Sequence, residues 1–158
     1  MDRVRFLLGM QSSKTWEGLD VCPRTCPSKN AQLCTYERWF ARPLDLSKEN
    51  LYLTLPVGGR RLRMFLRFRM GCHGLPNDAG RQRKVPRHQR LCQRCALGEV
   101  GDEQHLIFAC PAVQTVRTKY SWLFRSAHMS MIDFMWQVDK LSVVKFVTEC
   151  LELYLTDN

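Results

Sequence analysis

The feature that most constrains this chain is a cluster of three cysteines and one histidine in the stretch RLCQRCALGEVGDEQHLIFACP, residues 90–111. The four residues fall within nineteen positions: Cys92, Cys95, His105 and Cys110. A Cys-x2-Cys pair lets two sulfur atoms reach one ion from a single turn, and the second pair adds a nitrogen and a sulfur donor. The stretch is therefore a metal site, a redox pair with unrelated neighbours, or a coincidence of composition.

The donor set favours a metal, and among metals it favours zinc (Zn2+). Three sulfurs and one imidazole match the tetrahedral coordination of Zn2+, whereas a redox Cys-x2-Cys usually lies on a βαβ frame that the sequence does not show. Four protein ligands close the coordination shell, while a catalytic zinc keeps one position open for water. The chain also contains no His-x-Glu and no HExxH pattern. The predicted zinc is structural, and the chain is predicted to be non-catalytic.

Basic charge is concentrated just before and within the cluster. The chain carries a net charge of +9, and residues 60–94 alone contribute +10, with eleven Lys or Arg and one acid, Asp78. Such a segment indicates a polyanionic partner and predicts phosphate contacts with RNA or DNA; an anionic membrane surface is the weaker alternative. The predicted contacts are Arg60, Arg63, Arg67, Arg81, Arg83, Lys84, Arg87, Arg90 and Arg94.

The rest of the sequence is typical of a globular protein inside the cell. Hydrophobic residues make up 45% of the chain, and no apolar run approaches the ~18 residues of a membrane span. No signal-peptide pattern is present at the start, so the eight cysteines are interpreted as reduced thiols or metal ligands. The sequence predicts an intracellular protein, nuclear or cytoplasmic, with no membrane partner.

Hydrophobic periodicity predicts a mainly α fold, a small helical domain with an irregular, zinc-stabilised CCHC knuckle. We expect an irregular lead-in over 1–34, a helical basic segment over 35–80, the knuckle over 81–111, and C-terminal helices over 112–158 that pack on the same core. Within the basic segment, Leu62, Phe65, Leu66 and Met70 predict the buried face of one helix.

Other expectations concern the second half of the chain. Residues 76–90 predict a polar connector that contains Gly and Pro and leads to the cysteines. Pro111 predicts the start of a helix through Phe124, and a long amphipathic helix is predicted to follow near the C-terminus. Trp122 and Trp136 lie in amphipathic segments and are predicted to pack in the core, and Asp102 and Glu103 are predicted to be surface residues or partners that orient His105.

A second cysteine group lies near the start of the chain. Cys22, Cys26 and Cys34 would need Cys72 or His73 as a fourth metal ligand, and both are remote in sequence. Free thiols are therefore the favoured interpretation of this group.

Two stretches carry a family pattern. Residues 36–81 read YERWFARPLDLSKENLYLTLPVGGRRLRMFLRFRMGCHGLPNDAGR, and residues 90–117 read RLCQRCALGEVGDEQHLIFACPAVQTVR. A basic helix, a Gly-Arg connector and a Cys-Cys-His-Cys knuckle in this order resemble the C-terminal region of non-LTR (LINE-type) retrotransposon reverse transcriptases. The matching knuckle residues are Arg90, Cys92, Cys95, Asp102, Glu103, His105, Cys110, Pro111 and Arg117.

The resemblance covers about half of the chain and implies a segment that helps a reverse transcriptase engage template RNA or target DNA. It does not imply polymerase activity, because the Tyr/Phe-x-Asp-Asp motif of the polymerase palm is absent from the sequence. The remainder of such a reverse transcriptase is an implied partner. A protein-interaction module in which the knuckle and last helix dock a partner is the alternative function, and a nuclease fragment is a third, less favoured one.

Overall fold

A computed structural model describes Tyr52, residues 54–126 and residues 128–156, and over these residues the chain is mainly helical, as predicted. Five α-helices follow one another, joined by single turns of 3-10 helix and one turn of π-helix. The helices are α1 (Gly59–Arg69), α2 (Pro76–Gln82), α3 (Gln114–Lys119), α4 (Met131–Met135) and α5 (Lys140–Thr156). Within these ranges no helix is both long and apolar enough to cross a membrane.

The last helix, α5, is the centre of the fold. It packs against α1, α3, α4, the 3-10 turn Pro111–Val113 and the π-helical turn His105–Ala109. The predicted apolar face is buried at Val144, Val147, Leu151 and Tyr154. Cys150, which lies beside this face, is buried, and Phe146 farther round the helix is buried as well, so α5 is covered around most of its circumference.

Four phenylalanine rings fill the core beside α5. Phe134 of α4 stacks on Phe124 at a centroid distance of 5.3 Å and meets Phe146 of α5 edge-on at 5.5 Å. Phe108, from the π-helical turn, meets Phe134 edge-on at 5.8 Å. Aromatic edge and offset contacts of this kind add to the hydrophobic burial. The turn that carries His105 is therefore packed directly against the core.

Helix α1 presents its predicted phosphate contacts outward, whereas Arg69 at its end is buried. Phe65 and Phe68 are fully buried, Leu62 and Leu66 are half-buried, and the predicted contact residues on α1 are exposed. The helix ends in a Schellman motif at Gly71, whose φ of 65° suits glycine. The Cys72 amide donates to the Arg67 carbonyl at 2.9 Å, and the Gly71 amide donates to the Phe68 carbonyl at 3.1 Å.

The stretch predicted as a polar connector, residues 76–90, is helical in its first half, where α2 lies. Pro76 stands at the first helical position and Asp78 in the first turn, both favourable there. The helix escapes a search for apolar periodicity because it buries polar residues, Asn77 and Asp78, together with Gly80. The boundary predicted between residues 80 and 81 falls inside α2.

The predicted single helix from Pro111 to Phe124 is three short turns. The chain bends at Tyr120, whose φ of −111° and ψ of 33° end α3. The bend keeps Tyr120 and Leu123 buried but turns Trp122 outward, where it is 51% exposed, so the prediction that Trp122 packs in the core is wrong. Trp136 is half-buried against the core.

The predictions for residues 1–34, including the group of Cys22, Cys26 and Cys34, lie outside the described residues.

Candidate metal centre

The four predicted ligands meet at one point. Their ligand atoms all lie within 4.8 Å of one another, and this Cys3His group is positioned to hold one metal ion. The Sγ atoms of Cys92 and Cys110 are 3.8 Å apart, and the Cys95 Sγ lies 3.4 Å from the His105 Nε2. A tetrahedral ion bound by sulfur at about 2.3 Å and nitrogen at about 2.0 Å requires roughly 3.8 Å between sulfurs and 3.5 Å between sulfur and nitrogen. These two measured distances match such an ion.

A short hairpin places the first two ligands. Leu91 and Val100 form an isolated antiparallel bridge, and the Cys92 amide donates to the Glu99 carbonyl at 2.8 Å. The chain reverses between them through Gly98, which has a φ of 66°. A residue other than glycine would be strained at that φ. The hairpin leaves Cys92 buried and Cys95 half-buried, with both sulfurs facing the same point.

A π-helical turn brings the other two ligands together. On an α-helix, residues five apart in sequence point about 140° apart, so His105 and Cys110 would diverge. The π-helical hydrogen bond from the Cys110 amide to the His105 carbonyl, 2.7 Å, returns the fifth residue to nearly the same side. Arg117 closes this turn by donating to the carbonyls of Ile107 and Cys110. The π-helical turn therefore lets the side chains of His105 and Cys110, five positions apart, point toward the same site.

Glu99 sets the orientation of the His105 ring. Its Oε2 lies 2.8 Å from the His105 Nδ1, so a proton on Nδ1 is donated to the carboxylate and Nε2 keeps its lone pair toward the sulfurs. This is the tautomer a metal-bound histidine needs, and a carboxylate partner of this kind is usual for metal ligands. Asp102 and Glu103, predicted to be surface residues or partners that orient His105, are both buried, and Glu99 rather than either of them contacts the His105 ring.

Asp102 and Glu103 instead fix the backbone around the site. One Asp102 oxygen accepts from the His105 amide at 3.0 Å, and the other accepts from Arg87 at 2.6 Å. Glu103 is buried and pairs with the buried His73 at 2.8 Å. The His73 Nδ1 accepts from the Leu75 amide at 3.2 Å, so the Nε2 proton is donated to Glu103. Through these bonds, both acids connect the stretch that carries His105 to residues that precede Cys92 in the chain.

The surroundings of the cysteines favour one thiolate unless a cation is present. Burial raises the pKa of the Cys92 thiol, but hydrogen bonds from the Tyr154 hydroxyl, the Arg94 amide and the other cysteines outweigh burial and bring the pKa to about 7. Burial raises the pKa of Cys110 to about 12, and the charge of Cys92 acts in the same direction although the Ala112 amide opposes it. A bound cation would stabilise the thiolate form of all three cysteines and so oppose the effects of burial and of like charge.

The structure divides the nine predicted phosphate contacts into two groups. The inward group bonds to the protein itself: Arg81, Arg87, Arg90 and Arg94. Arg90, for example, donates to the Val85 carbonyl at 2.7 Å and to Asn77, and its side chain lies against Gly80 with no room for a Cβ. The outward group is exposed and makes no ion pair with another described residue: Arg60, Arg63, Arg67, Arg83 and Lys84.

Sequence reasoning missed three residues that support the site: Glu99, Tyr154 and His73. The position of Glu99 between two predicted ligands marked it as a candidate partner of His105, but Asp102 and Glu103 lie between the same two ligands and were equally good candidates. Tyr154 lies 62 positions from Cys92. Only the three-dimensional fold brings the two together.

Comparison of the chain with protein-family models, curated proteins and solved structures finds no match. Its function is therefore inferred from its own residues and their geometry.

Proposed function

We propose that Cys92, Cys95, His105 and Cys110 bind one structural zinc ion. The convergence of three sulfurs and one correctly oriented imidazole nitrogen carries the proposal, because a soft tetrahedral donor set of this kind is the one zinc prefers. Four protein donors leave no position for a substrate or a reactive water, so the proposed role of the metal is to stabilise the fold and the chain is proposed to be non-catalytic.

Metal analysis of the purified protein tests the zinc proposal. We expect close to one equivalent of zinc in the wild-type chain and a loss of it in Cys95→Ser. Cys72→Ser is the matched control, since Cys72 is also a half-buried cysteine but lies outside the cluster, and it should retain the metal. Equal zinc contents in the two variants would contradict the ligand assignment.

We further propose that the chain is a nucleic-acid-binding module whose contacts are made by the outward group of cations. Arg60, Arg63 and Arg67 recur on one side of α1, and Arg83 and Lys84 follow α2. These five groups are exposed and make no ion pair with another described residue, and cations of this kind bind phosphates with little dependence on base sequence. This charge pattern supports the proposal together with the resemblance to the reverse-transcriptase C-terminal region, from which we propose the chain derives.

The proposed context follows from that resemblance. The ligand would be the template RNA or target DNA of an element, the partner would be the rest of a reverse transcriptase, and the compartment would be the nucleus or the cytoplasm.

Binding to labelled RNA and DNA hairpins at 50 and 200 mM salt tests the nucleic-acid proposal. Five phosphate contacts predict an affinity loss of roughly a hundredfold or more over this range. Arg67→Gln should weaken binding several-fold and reduce the salt slope by about one. Arg125→Gln is the control, since Arg125 is exposed but lies outside the basic segment, and it should change neither quantity. A wild-type chain that binds neither hairpin at low salt would refute the proposal.

One observation favours a protein partner as the second candidate. Leu91 and Leu97 of the knuckle are 42% and 53% exposed, and Leu155 of α5 is also exposed. A partner docked on these leucines would stay bound at high salt and would be released by Leu97→Lys but not by Arg67→Gln. The reverse pattern supports nucleic acid.

A further inference from the structure

The last turn of α5 reaches the proposed metal centre through Tyr154. This tyrosine is only 5% exposed, and its hydroxyl oxygen lies 3.4 Å from the Sγ of Cys92. Tyr154 is the one described side chain outside the hairpin and the π-helical turn whose hydroxyl is placed against a cysteine of the cluster. A residue of the C-terminal helix therefore belongs to the surroundings of the metal ligands.

The other neighbour of this hydroxyl, the Gln93 amide, leaves the hydroxyl proton free for the sulfur. The Gln93 amide lies 3.3 Å from the Tyr154 oxygen and can only donate. The oxygen accepts that bond, so its own proton is free to be donated to the Cys92 Sγ. A donor directed at a sulfur stabilises the thiolate more than the thiol, and the thiolate is the form that binds a metal.

Arg94 holds the tyrosine in this position. Its guanidinium donates twice to the Tyr154 carbonyl, at 3.0 and 2.7 Å, and lies 5.7 Å from the centroid of the tyrosine ring. Because Arg94 lies between Cys92 and Cys95, it attaches the end of α5 to the turn that carries both sulfurs. The carbonyl near the end of a helix is a favourable acceptor for a cation.

We infer that Tyr154 is a positioning residue of the metal centre, which donates a hydrogen bond to the Cys92 thiolate and makes metal affinity depend on the docking of α5. The inference rests on the proposed metal centre and adds to it a contribution from a helix that supplies no ligand. Loss of such an outer hydrogen bond typically weakens metal affinity tenfold or more.

The test compares two Tyr→Phe variants of the full chain. Tyr154→Phe should weaken zinc affinity about tenfold in competition with a chromophoric chelator. Tyr120→Phe is the matched control, because Tyr120 is equally buried but donates its hydroxyl to Glu149, so its zinc affinity should stay at the wild-type value. In the Co2+-substituted proteins, the sulfur-to-metal charge-transfer band should move to lower energy in Tyr154→Phe only, which a merely structural role would not produce.

The possible outcomes distinguish a failure of the inference about Tyr154 from a failure of the proposed metal centre. A wild-type chain that takes up neither zinc nor cobalt overturns both. A wild-type chain that binds metal, with Tyr154→Phe unchanged in affinity and spectrum, overturns the inference alone. If Tyr154→Phe does not fold, 3-fluorotyrosine at position 154 replaces it: this ring keeps its shape and donates more strongly, so the band should move to higher energy, and an unmoved band overturns the inference.

Discussion

At the scale of single residues, Lys84 stands in a backbone conformation that suits glycine. Its φ is 57°, the left-handed region that costs an L-residue roughly 1–2 kcal/mol. The surrounding hydrogen bonds form the same motif that ends α1 at Gly71: the Lys84 amide donates to Arg81 at 3.1 Å, and the Val85 amide donates to Gly80 at 2.8 Å. The chain keeps an exposed cation at a position where glycine would be more stable.

Replacing this lysine should separate stability from binding. We expect Lys84→Gly to raise the free energy of unfolding by about 1 kcal/mol, because the left-handed conformation is no longer strained. Nucleic-acid affinity should fall, since one of the proposed phosphate contacts is lost. Denaturant unfolding and a hairpin-binding titration measure the two effects.

Arg83→Gly provides the control for Lys84→Gly. Arg83 has a φ of −86°, so glycine relieves no strain there and should lower stability while removing the same charge. A loss of stability in Lys84→Gly equal to that in Arg83→Gly would contradict the role assigned to the conformation of Lys84.

The ligands themselves could be predicted at this scale, and their supporting residues could not. Cys92, Cys95, His105 and Cys110 follow from residue type and spacing. The partner of His105 does not, since Glu99, Asp102 and Glu103 all lie within six positions of the histidine. Which carboxylate reaches Nδ1 depends on the hairpin and the π-helical turn, and neither has a periodic signature.

At the scale of elements, the π-helical turn His105–Ala109 depends for its stability on contacts with other parts of the protein. Turns with i→i+5 hydrogen bonds are rare and less stable than α-helix in isolation. Here the bond from Cys110 to His105, the side chain of Arg117 and the packing of Phe108 against the core support it. A bound ion would add a fourth restraint by joining the two ends of the turn.

Removal of the metal should therefore release the turn before the core. In hydrogen exchange with a chelator present, we expect the amides of Cys92 and Cys110 to lose protection, while those near Val147 in the middle of α5 keep it. The metal-loaded protein is the reference. Uniform loss of protection across both regions would show that metal and core unfold as one unit, and unchanged protection at Cys110 would show that the turn needs no metal.

Elements with apolar periodicity were predictable, and those stabilised by polar burial were not. The repeat of buried residues in α5 and the buried Phe65 of α1 agree with the pattern in the sequence. Helix α2 lacks apolar periodicity because polar residues occupy its buried positions. One of them, Asp78, accepts hydrogen bonds from the Gly74 amide at 3.0 Å and from Arg81 at 3.0 Å. Trp122 was misplaced because the bend at Tyr120 interrupts the helical repeat.

At the scale of the whole molecule, the basic residues of the segment 60–94 fall into the inward and the outward group, and the composition of the segment does not show which residue belongs to which group. The inward group of arginines bonds to other parts of the protein, including α2 and α5, while the outward group makes no ion pair within the described residues and is proposed to bind the ligand. Net charge therefore overstates the number of phosphate contacts available on this surface. We expect a salt slope measured for the full chain to report mainly the outward group, because the inward group already bonds to protein atoms.

The central position of α5 also has a consequence for how the protein is made. This helix follows α1–α4 in the chain, yet all the elements packed against it leave the ribosome earlier. Until residues 140–156 have emerged from the exit tunnel, Phe65, Phe134 and the π-helical turn lack the α5 surface that packs against them, so the nascent chain leaves apolar groups exposed. The fold is therefore completed only after α5 has emerged, and we expect a ribosome stalled before residue 140 to hold an incompletely folded chain.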